Sequence, residues 1–293
     1  MSVESIAFLG LGVMGGPMTA NLARRGFQVK AWNRTSDRPG ITLARQAGAK
    51  ITKSLPEAIK DAGIIFSCLG DLPDVEEVLL GENGVVNHAQ PETLVVEMST
   101  IGSQGAIAIG QKLQERGLRF LDAPVSGGDI GAQQGTLTIM VGGDPRDFQT
   151  CQPFLEAMGK NIYHCGPIGS GQAVKLCNQI LVSLYMVGLC EATQMARAQN
   201  LDPNLVIEVC STGAAASWAL SNLGPKIVAA DFTPGFMIKH ILKDLRLVQE
   251  TLQANSQSLP GVDLAEHLFQ VVRDLDQGPE QGTQGMIRAY LKQ

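Results

Sequence analysis

The stretch SIAFLGLGVMGGPMTANLARRG, residues 5–26, decides the fold. An apolar run sized for one strand leads straight into Gly10-Leu11-Gly12-Val13-Met14-Gly15, a G-x-G-x-x-G spacing, and then into a helical pattern running toward Arg25. The first glycine permits a tight turn, the second lets a pyrophosphate approach the backbone, and the third lets helix pack on strand. Free N–H groups at the positive helix end then face the anion. The spacing alone is weak, but between a strand and a helix it predicts a dinucleotide-binding unit. Gly10, Leu11, Gly12, Val13, Met14 and Gly15 are its cofactor-side residues.

Working outward, short apolar runs alternate with helical patterns as far as Cys165, as in a parallel sheet covered by helices. The strand candidates are SIAFLG, FQVKAW, GIIFSCLG, TLVVEM, LRFLDAP, TLTIMVGG and NIYHC. Ser54-Leu55-Pro56-Glu57 starts one helix, with Ser and Glu at capping-box spacing and Pro in the first turn. Beyond Gly171 strand signals stop and long amphipathic patterns cover 171–199, 203–211, 236–254 and 261–276. The expected architecture is α/β: a Rossmann-like doubly wound domain over 1–165 and an all-helical domain over 166–293, joined by a long helix. The glycine-rich segment Gly166 to Gly171 is the expected hinge.

Composition narrows the function. A chain of 293 residues with 44% hydrophobic and 17% charged residues suits a globular protein of two medium domains. A net charge of −5 provides no basic stripe for phosphate backbones, so nucleic acid is not an expected partner. The six cysteines form no C-x-x-C pair and no metal-type cluster with the four histidines. Reduced thiols, and an opening MSVESIAFLG without a basic segment before an apolar run, point to the cytoplasm. Leu176 to Cys190 is uncharged, but Asn178, Gln179 and Ser183 interrupt it and no aromatic belt flanks it. A buried helix is expected there, not a membrane span.

The second strand should present the group that reads the adenosine ribose, about 20 residues past the first glycine. There the chain reads Trp32-Asn33-Arg34-Thr35-Ser36, with no carboxylate, and Asp37 comes too late in the turn. An acid would bind the 2′-hydroxyl of NAD, whereas the planar fork of Arg34 matches a 2′-phosphate. Asn33 and Thr35 add neutral hydrogen-bonding groups. NADP(H) is therefore expected ahead of NAD(H). Two further strand ends, Leu69-Gly70-Asp71 and Met98-Ser99-Thr100-Ile101, should line the same crevice. Leu69, Gly70, Asp74 and Thr100 are counted with the cofactor side, although Ser99-Thr100 before a helix also reads as a cap.

Lys175 is the one charge between Cys165 and Cys190. Asn178 and Gln179, three and four residues on, share its face of the helix. An ammonium buried without partners costs several kcal/mol, about what fold stability can spare, so Lys175 either snorkels or sits in a polar site.

Phe120-Leu121-Asp122-Ala123-Pro124-Val125-Ser126-Gly127-Gly128, then Gly169-Ser170-Gly171 with Lys175 and Asn178, then Lys243-Asp244, resemble the β-hydroxyacid dehydrogenase family over nearly the whole chain. That family includes 3-hydroxyisobutyrate dehydrogenases, tartronate semialdehyde reductases and plant-type glyoxylate/succinic semialdehyde reductases. Trp32-Asn33-Arg34-Thr35 looks most like the NADPH-using reductases, while Gly70 replaces a family proline. The resemblance implies that Lys175 is the general acid/base and that Asn178 holds the substrate or the lysine. It further implies that Lys243 lies at the nicotinamide end, and that Ser126, Gly127, Gly128, Phe236 and Asp244 form the substrate pocket. A small carboxylate-bearing aldehyde, reduced to the hydroxy acid, is the expected substrate, and no metal is needed. Two alternatives are a 3-hydroxyisobutyrate or tartronate semialdehyde enzyme and, from another class, a silent cofactor-binding scaffold. The apolar helix 171–199 suggests a homodimer or homotetramer.

Overall fold

A computed structural model of the chain describes residues 5–291. Nine strands form one sheet: β1 (Ile6–Leu9), β2 (Val29–Trp32), β3 (Lys50–Ile51), β4 (Ile64–Ser67), β5 (Leu94–Glu97), β6 (Arg119–Asp122), β7 (Val125–Ser126), β8 (Leu137–Gly143) and β9 (Gly159–Gly166). The helices around it are α1 (Gly15–Arg24), α2 (Pro39–Gln46), α3 (Leu55–Ile59), α4 (Leu72–Leu80), α5 (Val85–His88), α6 (Ser103–Gln114), α7 (Gly128–Gln134) and α8 (Pro145–Met158). Strand order is β3-β2-β1-β4-β5-β6-β8-β7, with β9 on β8. The order reverses between β1 and β4, and ligands of such sheets bind at that switch, outside the carboxyl ends of the strands.

Alternation within each strand feeds two cores. Ile6 and Phe8 enter one with Ile64, Phe66, Leu94 and Val96. Ala7 and Leu9 enter the other with Ile65, Val95 and Phe120. Because helices cover both faces, β1, β4 and β5 read as continuous apolar runs and not as alternating ones. Each large side chain so buried contributes about 1.5–3 kcal/mol.

The sheet is not wholly parallel, as the alternation of runs and helices suggested. β8 runs antiparallel to both β6 and β7, and parallel to β9. Only the seven residues of α7, with short turns, separate β7 from β8. That is too short for a parallel crossover, which takes a dozen residues or more. The two-residue strands β3 and β7 are too short to show in a hydropathy pattern.

The remaining helices are α9 (Ser170–Ala198), α10 (Pro203–Cys210), α11 (Trp218–Val228), α12 (Ile238–Ala254) and α13 (Pro260–Arg273), followed by 3-10 turns at Gly278–Glu280 and Thr283–Tyr290. α11 was not expected, because Gly224 and Pro225 inside it obscure the pattern. α12 begins two residues after Phe236, whose carbonyl instead accepts from Thr283 N–H at 3.0 Å. Its stripe of Ile238, Ile241, Leu245, Val248 and Leu252 enters the helical core with Leu176, Met186, Val187 and Phe269.

Contacts divide the chain into two compact units, one ending at Lys175 and one starting at Leu176. The boundary expected after residue 165 precedes this division, so the first turns of α9 pack with the sheet. α9 is long and apolar enough by length and composition to cross a membrane. It nevertheless buries Gln172, Lys175, Gln179, Ser183 and Thr193, a polar content that protein packing accommodates better than hydrocarbon does.

Candidate active site

The glycine loop sits at the switch point. Gly10 has φ +93°, and a Cβ there would lie 2.2 Å from the Cys68 carbonyl oxygen at the end of β4. A Cβ on Gly15 would lie 1.9 Å from the Gly10 carbonyl oxygen. Packing thus demands both residues. Around Gly12 there is no atom within 4 Å of a Cβ, so nothing in the protein's own packing requires glycine there. An open glycine at a helix N-terminus is what a close-approaching pyrophosphate needs, so the loop fits a dinucleotide. Val13 is 64% exposed beside it, and Met14 takes the N-cap position of α1 without a side-chain cap.

The Asn33 amide is engaged within the loop. Its Oδ1 accepts from Leu11 N–H at 2.7 Å and its Nδ2 donates to the Thr35 carbonyl at 2.7 Å. Asn33 thereby ties the end of β2 to the glycine loop. Arg34 donates to Asp74 Oδ1 at 2.9 Å and to Glu77 Oε2 at 2.8 Å, and both carboxylates raise its pKa further. Asp74 also accepts from Asp71 N–H at 3.2 Å, closing a capping box at the start of α4. A Cβ on Gly70 would lie 2.5 Å from Asp74 Oδ2, the far end of a side chain that can give way.

A buried polar hub supports the neighbouring strand ends. Fully buried Glu97 accepts from Ser67 Oγ and from Ser99 N–H, the latter at 2.6 Å, while Ser99 Oγ accepts from Leu69 N–H at 2.7 Å. Ser99 therefore holds the Leu69 loop. Thr100 is not the cap of α6, whose N-cap position is Gly102.

The same end of the sheet grips the start of α9. Asp122, fully buried at the end of β6, accepts from Gly169 N–H at 2.7 Å and Gln172 N–H at 2.8 Å. Burial pushes its carboxyl pKa up, and those backbone N–H groups pull the other way. Gln172 donates to the Ser99 carbonyl at 2.8 Å and accepts from Ile101 and Gly102 N–H at 3.0 and 3.1 Å. Lys175, one turn on, is 6% exposed. Glu97 and Gln172 carry no sequence signal of their own, since a buried polar residue looks like any other until its partners are known.

Gly127, between β7 and α7, has φ +131°, and Gly128, the first residue of α7, has φ +63°. That backbone favours glycine whether or not an anion binds. Ser126 ends β7, paired with Thr138.

In the helical unit, Asn178, Gln179, Asp244 and Lys243 form a polar chain. Asn178 Nδ2 donates to Gln179 Oε1 at 2.8 Å, Gln179 Nε2 donates to Asp244 Oδ2 at 2.5 Å, and Lys243 Nζ lies 2.8 Å from Asp244 Oδ1. Phe236 packs against the helical core, its ring centroid 6.1 Å from that of His240. Burial, with Lys239 and Lys243 nearby, lowers the His240 pKa. Among the described residues, no group of three or more His, Cys, Asp or Glu could hold a metal.

Residues 5–166 match the NAD-binding domain of 6-phosphogluconate dehydrogenase, and residues 169–290 match the NAD-binding family of NADP-dependent 3-hydroxyisobutyrate dehydrogenase. The chain belongs to the β-hydroxyacid dehydrogenase family. It is 51% identical to an uncharacterized oxidoreductase of Synechocystis sp. over 99% of both chains. It is 38% identical to 2-hydroxy-3-oxopropionate reductase of Escherichia coli, over 90% of this chain and 89% of the relative. Mycobacterium tuberculosis 3-hydroxyisobutyrate dehydrogenase, solved with L-serine, superposes with a TM-score of 0.89 at 30% identity, over 99% of this chain and 100% of that one. As a β-hydroxyacid dehydrogenase family member, the protein is an NAD(P)-dependent oxidoreductase acting on hydroxyl groups, and the open cradle at Gly12 suits its nicotinamide dinucleotide.

Proposed function

We propose that the protein is an NADPH-dependent reductase of a small carboxylate-bearing aldehyde, such as succinic semialdehyde or glyoxylate, with Lys175 as general acid. The observation that carries this reading is Lys175 itself: an ammonium 6% exposed, in a helix whose first turn is bonded to the cofactor-side strand ends. A charge so buried has to be held among polar partners, and an ammonium held at that place is positioned to deliver a proton. The relative that reduces 2-hydroxy-3-oxopropionate, a small semialdehyde, supports the substrate class.

The bound nicotinamide cofactor supplies the hydride. As the carbonyl carbon receives it, the oxygen gains negative charge, and the Lys175 ammonium stabilises that charge and hands over a proton, giving the hydroxy acid. In the reverse direction the neutral amine accepts the proton. Asn178 holds the substrate oxygen, and the Ser126–Gly128 turn receives the substrate carboxylate through backbone N–H groups. Asn33 shapes the cofactor loop, and Arg34 takes the 2′-phosphate.

The test is NADPH and NADH oxidation with succinic semialdehyde, glyoxylate, methylmalonate semialdehyde and tartronate semialdehyde. Turnover of at least one with NADPH favoured is the expected result. No oxidation with any of the four would favour a silent scaffold, and NADH favoured would overturn the cofactor assignment.

A further inference from the structure

In the helical unit, Asn178 is the last member of a hydrogen-bond chain whose direction is set at the other end. Asp244 is 1% exposed, and its Oδ1 faces the Lys243 ammonium at 2.8 Å without accepting a hydrogen bond of good geometry. Facing that cation, the carboxylate of Asp244 only accepts. Gln179, 2% exposed, must therefore turn its NH2 toward Asp244, which leaves its carbonyl oxygen as the acceptor for Asn178. Asn178 in turn spends its NH2 on Gln179, and its own oxygen is left for a donor.

We infer that Gln179 is a positioning residue: by relaying the polarity of Asp244, it makes Asn178 present an acceptor, not a donor, to the reacting group. This rests on the reading of Lys175 and Asn178 given above and deepens it. An acceptor there suits the O–H of the hydroxy acid or an ammonium hydrogen. An NH2 would compete with the proton donor for the substrate oxygen. The amide of Asn178 by itself has no preferred sense, because its O and N ends are nearly the same size. The order has to come from a group that cannot reverse, and Asp244 is that group.

The reversal experiment exchanges the two chemistries. In Asp244→Asn, position 244 can donate to Gln179 as well as accept from it, so nothing fixes the sense of Gln179 and the relay breaks. In the double variant Gln179→Glu with Asp244→Asn, the amide placed at position 244 donates to the carboxylate placed at position 179. That carboxylate still accepts from Asn178, so the order at Asn178 returns with the net charge unchanged. With succinic semialdehyde as substrate, Asp244→Asn should lower kcat by about 10- to 100-fold, the cost of a misplaced contact. 4-Hydroxybutyrate, as product inhibitor, should bind about 10-fold more weakly, in keeping with one lost hydrogen bond. NADPH affinity should stay within about twofold, a change too small to signal a lost contact. The double variant should recover at least half of each loss on a logarithmic scale. Wild-type kcat and inhibition in Asp244→Asn, or a double variant no better than that single one, would overturn the relay. Lys175→Ala measured alongside separates the two ideas: full turnover in it removes the catalytic reading, whereas lost turnover with an indifferent Asp244→Asn removes only the relay.

Discussion

Arg34 Nη2 lies 2.9 Å from Asp74 Oδ1. The residue that should bind a 2′-phosphate is thus held by a carboxylate that is itself fixed in the capping box of α4, with Glu77 as a second partner at 2.8 Å. Exposed pairs of this kind are worth about 0–1 kcal/mol each, so a phosphate displaces them readily, but their charge still opposes it.

Glu77→Gln should therefore tighten NADPH binding about 2- to 5-fold at low ionic strength, leave NADH unchanged, and lose its effect near 0.5 M salt. Arg34→Ala should weaken NADPH binding about tenfold or more, as expected for a lost charge-assisted contact. Fluorescence titration with both cofactors at two salt concentrations checks both. Equal loss for NADPH and NADH in Arg34→Ala would mean that the arginine does not read the phosphate.

Gly12 and Gly15 should separate binding from folding. Gly12→Ala should leave Tm within about 1 °C, since a new Cβ there meets nothing, and should weaken cofactor binding about tenfold or more by blocking the backbone approach. Gly15→Ala puts a Cβ on the Gly10 carbonyl oxygen and should cost about 1–3 kcal/mol of stability. Thermal melts with and without NADPH distinguish the two.

Lys175→Ala should reduce kcat about 10²- to 10⁴-fold, the usual share of a general acid. NADPH affinity should barely change. Single-turnover kinetics at saturating aldehyde isolates the chemical step, and a rate close to wild type would take the lysine out of the mechanism.

Asp122→Asn turns one acceptor into a donor facing the backbone N–H of Gly169 or Gln172. A buried N–H left unpaired costs about 1–3 kcal/mol. The variant should lose that much stability in urea, together with activity, because the start of α9 carries Lys175. Unchanged stability would show that the N–H groups find other acceptors.

Much of the dinucleotide unit was legible because its information is local. A glycine spacing after an apolar run, Asp202-Pro203 opening α10, and Ser54 accepting from Glu57 N–H all depend on residues a few positions apart. α11 and the two short strands escaped notice because breakers or brevity erase periodicity. Asn33 stood out in the sequence by its place after β2, whereas its bonds to Leu11 and Thr35, which shape the loop, were not legible there.

Taken alone, the sequence determined the strand–glycine–helix order, the helical second half and the solitary charge at Lys175, because each is written in neighbouring residues through chain sterics and hydrophobic period. Only the tertiary structure decided which buried polar groups meet: Asp122 with the start of α9, Gln172 with the end of β5, and Gln179 with Asp244. Those partners lie 50, 73 and 65 residues apart. A hydrogen bond needs atoms within about 3 Å, a condition that no spacing along the chain encodes.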